Sequence, residues 1–412
     1  MTARLEDAKW LRHGPLVRLL DVLDRDGEEA RVVGGAVRNA LLGMPIHEFD
    51  VATTAEPQTV VARAEQASFK TAPTGIDHGT VTVIVEGRPF EVTSLRQDVE
   101  TYGRKAKVAF GRDWKADAER RDFTINALSV TRDGTVHDYV GGLADLAARR
   151  VRFIGRAADR IAEDYLRILR FFRFHAAYGE GLPDADGLAA CIAARAGLAG
   201  LSRERIRMEL LKLLAAPHAV PVLAVMSETG LLVSLLGGVP LLASLSNMMK
   251  AENAIGLAAD PVRRLGALGV IVSEDAKRLT QRLRLANAEH DRLESMGDGW
   301  WRICAQSSAK DMRALLYRLQ TERFIDRILL AWSRSPESLS DAHWQEMAGL
   351  PRRWTPPDFP IASAQVMARG VPKGPLLGRV LRSAEQTWIA ADFPADQESI
   401  DRILDNAIAA TK

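Results

Sequence analysis

Cysteine is nearly absent from this 412-residue chain: Cys191 and Cys304 are the whole complement. Two thiols without paired spacing build neither a disulfide framework nor a cysteine zinc site. They suit a reducing compartment, so a cytoplasmic protein is expected. Long apolar runs are also missing. Nothing approaches the roughly 20 apolar residues of a membrane helix, and the opening MTARLEDAKWLRHG carries charges too early for a signal peptide. Association with a membrane is therefore not expected. Net charge is scarce as well, at +2, so the overall field says little about a polyanionic partner. No fixed-period repeat or low-complexity tract interrupts the chain.

What is present is the composition of a soluble globular protein, 47% hydrophobic and 26% charged, long enough for two or more domains. Its charge is unevenly spread. From Arg149 to His175 there are eight arginines (149, 150, 152, 156, 160, 167, 170 and 173) against three acids, Asp159, Glu163 and Asp164. Such a cluster is either a solvated helix surface or a phosphate-binding face. Up to about residue 155, short β-type runs alternate with helical segments: ARVVGG, FDVATT, TVTVIVEG and PFEVTS. Beyond Ala157 apolar residues recur at helical spacing, as at Leu166, Leu169 and Phe172 and again at Ile206, Leu210 and Leu213. An α+β chain follows, with a mixed α/β N-terminal domain and an all-α remainder. PRRWTPPDFP, at 351–360, is a proline-rich break before a last helical unit.

Residues 33–53 read VGGAVRNALLGMPIHEFDVAT: a strand, a Gly34-Gly35 turn, a helix ending at Gly43, and a second strand carrying Glu48 and Asp50. Strand alternation puts these two carboxylates on one face, with Phe49 and Val51 on the other. Hard oxygen donors at i and i+2 suit Mg²⁺, which is held by one or two carboxylates plus substrate phosphates. An isolated E-x-D is equally a polar strand end facing water. Here the preceding turn offers backbone N–H groups and a helix N-terminus to a triphosphate, and Arg38 lies one turn in, placed for a further charged contact. Glu91, with Phe90 and Val92 directed to the buried side of its strand, is a third carboxylate for the same site.

GGAVRNALLG followed by EFDVAT resembles the signature of the class II nucleotidyltransferases, the bacterial CCA-adding enzymes and poly(A) polymerases. Their pattern is GGxVRDxLLG followed by DxD, so Asn39 and Glu48 are departures from it. The resemblance implies a polymerase-beta-like head at 1–155, a helical neck with a base-reading helix at 156–215, a helical body at 216–350 and a tRNA-binding tail at 351–412. RRDFTINAL, at 120–128, matches the family's next motif. It implies triphosphate and ribose contacts for Arg121 and Asp122, with Asn126 beside them. DYVGG at 138–142 resembles the hinge between head and neck. The segment RQDVETYGRKAKVAFGRD (96–113) is similar to the family's flexible loop, which helps accommodate ATP after two C additions; a surface loop without a role is the alternative. Residues 75–80, which include His78, resemble a segment leading into a core strand. SRERI at 202–206 looks like neck architecture, and GVPKGPLLGRVL at 370–381 like the family's tail.

EDYLRILRFFRF carries Asp164 and Arg167 three apart, with Arg170 and Arg173 continuing the row on one helix face. In the family this helix reads the incoming base. A carboxylate accepts from the exocyclic amino group of cytosine or adenine while a guanidinium donates to the ring nitrogen beside it; U and G present a carbonyl instead. The competing assignment is an ordinary Glu163–Arg167 helix ion pair.

The expected function is template-independent addition of C, C and A to a tRNA 3′ end from CTP and ATP, by two-metal phosphoryl transfer with release of pyrophosphate. A poly(A) polymerase, a CC- or A-adding partial enzyme and a non-catalytic RNA-binding protein are the rivals. No obligate protein partner is implied.

Overall fold

A computed structural model describes residues 3–76, 79–102, 105–336 and 342–411. The segment at 75–80 thus has its central pair, Asp77 and His78, outside the described residues. Two compact units are present, residues 1–222 and 223–412.

The first unit is built on a seven-stranded mixed sheet in the order β3-β4-β5-β2-β1-β8-β9. Its strands are β1 (Ala30–Val33), β2 (Asp50–Thr53), β3 (Lys70–Gly75), β4 (Thr80–Val85), β5 (Arg88–Ser94), β8 (Ser129–Val130) and β9 (Val136–His137). The four apolar runs read from the sequence supply the central strands β1, β2, β4 and β5. In β4 and β5 buried and exposed residues alternate, so Val81, Val83, Phe90 and Val92 pack inward while Glu91 stays at the surface. The helix Pro15–Leu23 covers the sheet with Leu16, Leu19, Leu20 and Leu23, all buried.

Within residues 96–113, expected as a flexible loop, β6 (Arg96–Tyr102) and β7 (Lys105–Phe110) pair antiparallel as a separate two-stranded sheet. β6 is mostly polar and the alternation of β7, KAKVAF, is short, so the sequence there gives only a weak strand signal. Its backbone groups are instead satisfied by one another.

Helices dominate from Ala157 onward. Phe123, Phe153, Phe171 and Phe174 stack into one aromatic cluster, which welds the helix Leu166–Tyr178 onto the sheet domain. Among its described residues the second unit has helices joined by irregular segments and no strand. Its last helices, Pro375–Ala390 and Gln397–Thr411, enclose a cluster around Trp388. Among the described residues no helix is long and apolar enough to cross a membrane.

Candidate active site

β2 and β5 run parallel, with Asp50 directly opposite Glu91. The opposite edge of β5 brings Thr82 of β4 against Glu91. Glu48 stands two residues before β2, on an exposed connecting segment rather than on the strand itself. The expected alternation through Glu48 is thus corrected: strand pairing begins with Val33–Asp50, and nothing pairs with the chain at Glu48. Phe49 is half-buried against Trp10, with ring centroids 5.1 Å apart. Glu48, Asp50 and Glu91 line one pocket of about 530 Å³, together with Trp10, His13 and Ile46.

The Asp50 carboxyl is pushed above the usual carboxylate range. Withdrawal from water is the main cause, the charges of Glu91 and Glu48 add to it, and Arg121 opposes it. Like charges gathered on hard oxygen donors are what a bound cation relieves, so these residues fit a divalent metal. Among the described residues no three carboxylate, imidazole or thiol groups come together to hold a metal ion, so Glu48, Asp50 and Glu91 are not a complete ligand set by themselves. A site open to substrate phosphates is the arrangement Mg²⁺ takes.

Arg121 reaches toward the glycine turn. Its guanidinium is held by Asp117 at 3.1 and 3.2 Å and donates to the Asn126 carbonyl at 3.4 Å. Gly34 has φ +69°, and a β-carbon there would sit 3.3 Å from Arg121 Nη1, so only glycine suits the position. The Gly34 N–H already donates to the Leu128 carbonyl at 2.9 Å. Anion-binding amides must therefore come from Gly35 and its successors, the first residues of the helix Gly35–Leu41.

Two expected nucleotide contacts have other partners. Arg38 is only 6% exposed. It donates to Asn126 Oδ1, to Asn39 Oδ1 at 3.0 Å and to the Tyr178 hydroxyl at 2.6 Å, and it lies 3.8 Å from the Tyr178 ring centroid. In this structure it braces the turn from beneath instead of facing a phosphate. Asp122 accepts from Phe123 N–H at 2.9 Å and Asn126 Nδ2 at 3.2 Å on one oxygen, and from Arg170 Nε at 2.8 Å and Nη2 at 2.5 Å on the other. A carboxylate has about four acceptor sites, so this shell leaves none for a ribose hydroxyl.

The expected row from Asp164 to Arg173 is also altered. Asp164 is extended, with φ −155° and ψ 107°, and lies between the helices Ala157–Glu163 and Leu166–Tyr178. Its carboxylate accepts from Leu166 N–H at 3.1 Å and Arg205 Nη2 at 2.6 Å. Burial alone would raise its pKa; the Arg205 bond, the Leu166 amide and the charges of Arg205 and Arg167 outweigh it, and the carboxyl lies below the ordinary range. Arg167 is on the helix and pairs with Glu163, four residues back, while donating to the Arg160 carbonyl at 2.6 Å. The Glu163–Arg167 pair offered as the competing assignment is therefore present. Arg170 and Arg173 continue the row toward Glu209, at 3.8 and 2.5 Å.

Four members of this constellation were not read from the sequence: Arg160, Tyr178, Arg205 and Glu209. Arg160 donates to the Arg121 carbonyl at 2.6 Å, tying the two motifs together. Glu209 left a signal, since it is an acid at a helix position otherwise flanked by buried Ile206 and Leu210. Tyr178 left none, because its partner Arg38 is far away in sequence. The DYVGG motif is a folded cap: Asp138 accepts the N–H groups of Val140, Gly141, Gly142 and Leu143 at 2.9–3.1 Å.

Residues 30–152 match the family described as the poly A polymerase head domain, and residues 184–245 match the probable RNA and SrmB-binding site of polymerase A. Over 397 residues the chain is 33% identical to the mitochondrial CCA tRNA nucleotidyltransferase 1 of Mus musculus, covering 93% of this chain and 88% of that protein. It is 44% identical over 211 residues to the CCA-adding enzyme of Geobacillus thermodenitrificans, about half of each chain (51%). The crystal structure of the Bacillus stearothermophilus CCA-adding enzyme in complex with CTP superposes with a TM-score of 0.75 at 25% identity, covering 96% of this chain and 98% of that one.

Proposed function

Because the chain belongs to the CCA tRNA nucleotidyltransferase family, we propose that it adds C, C and A to tRNA 3′ ends from CTP and ATP, releasing pyrophosphate. The observation that carries this reading is the meeting of Asp50 and Glu91 across β2 and β5, beside Arg121 and the glycine turn. Glu48 and Asp50 are the residues to hold Mg²⁺, with Glu91 completing the negative field. A divalent cation there supplies Lewis-acid stabilisation of the α-phosphate and eases deprotonation of the RNA 3′-hydroxyl.

The chain's own groups do the positioning. Arg121 faces the triphosphate, with its guanidinium oriented by Asp117, and the amides following Gly34 receive phosphate oxygens. Asp122, Asn126 and Arg38 act one step back, holding Arg170 and the turn in place. Asp164 and Arg167 select the base by its amino group and ring nitrogen, which a well-placed pair discriminates by about 1–3 kcal/mol. Arg205 orients Asp164, and Arg167 exchanges Glu163 for the base. With two unpaired cysteines, one of them exposed, the cytoplasm is the compartment we assign.

The test is to incubate the purified protein with Mg²⁺, a tRNA lacking its CCA end, and labelled CTP or ATP. Ordered incorporation of C, C and A is expected. Unlimited A addition without C would mark a poly(A) polymerase, a stop after CC or addition of A alone a partial enzyme, and no product an RNA-binding protein.

A further inference from the structure

Asn39 holds three contacts around one turn. Its Oδ1 accepts from Arg38 Nε at 3.2 Å and Nη2 at 3.0 Å, its Nδ2 donates to the Pro45 carbonyl at 2.9 Å, and its own carbonyl receives the Met44 N–H at 2.8 Å. These bonds pin the start of the segment Met44–Phe49, which has no regular secondary structure. Its far end is pinned where Asp50 pairs with Val33. Glu48 lies between the two anchors, three residues beyond Pro45. The Asn39–Pro45 bond thus fixes one end of the segment that carries Glu48.

The chemistry of position 39 is selective. A carboxamide donates and accepts at once, whereas an ionised carboxylate only accepts. An aspartate there would keep, and strengthen, the bond to Arg38, but it would oppose the Pro45 carbonyl with a negative oxygen at hydrogen-bond distance. The loop would have to move. Glu48, for its part, has one more methylene than aspartate, so its carboxylate reaches about 1.5 Å further from the backbone. A glutamate needs a loop that stands back, and an aspartate needs one that comes closer.

We propose that Asn39 is a positioning residue that sets the Glu48 loop at the distance a glutamate requires, so that residues 39 and 48 are functionally coupled. This rests on the reading of Glu48 as a metal-holding residue. It also gives one cause for both departures from the family's pattern.

The experiment compares wild type with N39D, E48D, the double variant N39D/E48D, and E48Q. Mn²⁺ binding is followed by electron paramagnetic resonance without RNA or nucleotide, and kcat and KM for CTP are measured separately. Each of N39D and E48D is expected to weaken Mn²⁺ binding and lower kcat about tenfold. The double variant should recover at least about tenfold over the product of the two single losses. KM for CTP should change little, since the phosphate contacts are untouched. Losses that simply multiply, or an N39D protein indistinguishable from wild type, would overturn the coupling while leaving Glu48 at the metal. An E48Q protein with unchanged Mn²⁺ binding would overturn the metal assignment and the coupling with it. Misfolding of N39D is recognised by a lowered thermal midpoint that E48D does not restore, and it too would count against the proposal.

Discussion

Asp50 combines a functional assignment with an energetic cost. Its pKa is raised by withdrawal from water, then by Glu91 and Glu48, so the folded chain holds this proton to higher pH than the unfolded chain does. Below the ordinary carboxylate range both states are protonated and the cost is absent; it builds as pH rises from the unfolded value to the higher folded-state one and persists at neutral pH. Asp50→Asn should therefore melt at or above the wild-type temperature in EDTA at pH 7.5, yet lose CTP incorporation about a thousandfold, the several kcal/mol a metal contact contributes. A lower melting temperature would refute the charge argument, and activity within a few-fold of wild type would refute the metal assignment. The charge-assisted bonds of Asp122 to Arg170 stabilise the fold, so Asp122→Asn should cost about 2 kcal/mol in urea denaturation.

Among the elements, the helix Leu166–Tyr178 shows most clearly what sequence periodicity conveys. Its apolar face was legible, and so was the arginine row, because three- and four-residue spacing is a property of the helix itself. Asp164 was not, because whether a helix begins before or after it depends on Arg205, brought from a helix distant in sequence. The paired strands β6 and β7 were not legible because β6 is mostly polar and the alternation of β7 is short. The central strands were found because their buried residues alternate. The same helix ends in a pH-sensitive group. His175 is 3% exposed, and its pKa is lowered chiefly by burial and secondarily by His218, while Nε2 approaches the Gly181 carbonyl at 3.2 Å and opposes the shift. A depressed imidazole pKa stabilises the fold above the unfolded value near 6.5. That contribution is lost as pH falls toward the folded-state value. Melting temperature should thus drop as pH falls below about 6.5, and His175→Gln should flatten the profile. An unchanged slope in that variant would show that other groups titrate there.

At the level of the whole molecule, the chain divides into two compact units, and the second contains a charged network that sequence spacing could not reveal. Glu252, fully buried, accepts from Arg263 at 3.0 Å and Arg264 at 2.8 Å. Asp326, also fully buried, accepts from Arg263 Nε at 2.8 Å and from Arg292 at 2.8 and 3.0 Å. Each of these side chains would be read alone as a surface charge on an amphipathic helix; only their convergence from four helices makes them a core. Such a network adds little over apolar packing, but removing one partner strands the rest and costs about 3–5 kcal/mol. Glu252→Ala removes an acceptor from two buried guanidiniums, while the proposed CTP site lies wholly within residues 1–222. Calorimetry should therefore show one transition moved to lower temperature and the other unmoved, with CTP affinity measured by equilibrium dialysis within about twofold of wild type. If both transitions fall together and CTP affinity falls with them, the units fold as one cooperative body and the expected independence of residues 1–222 is wrong.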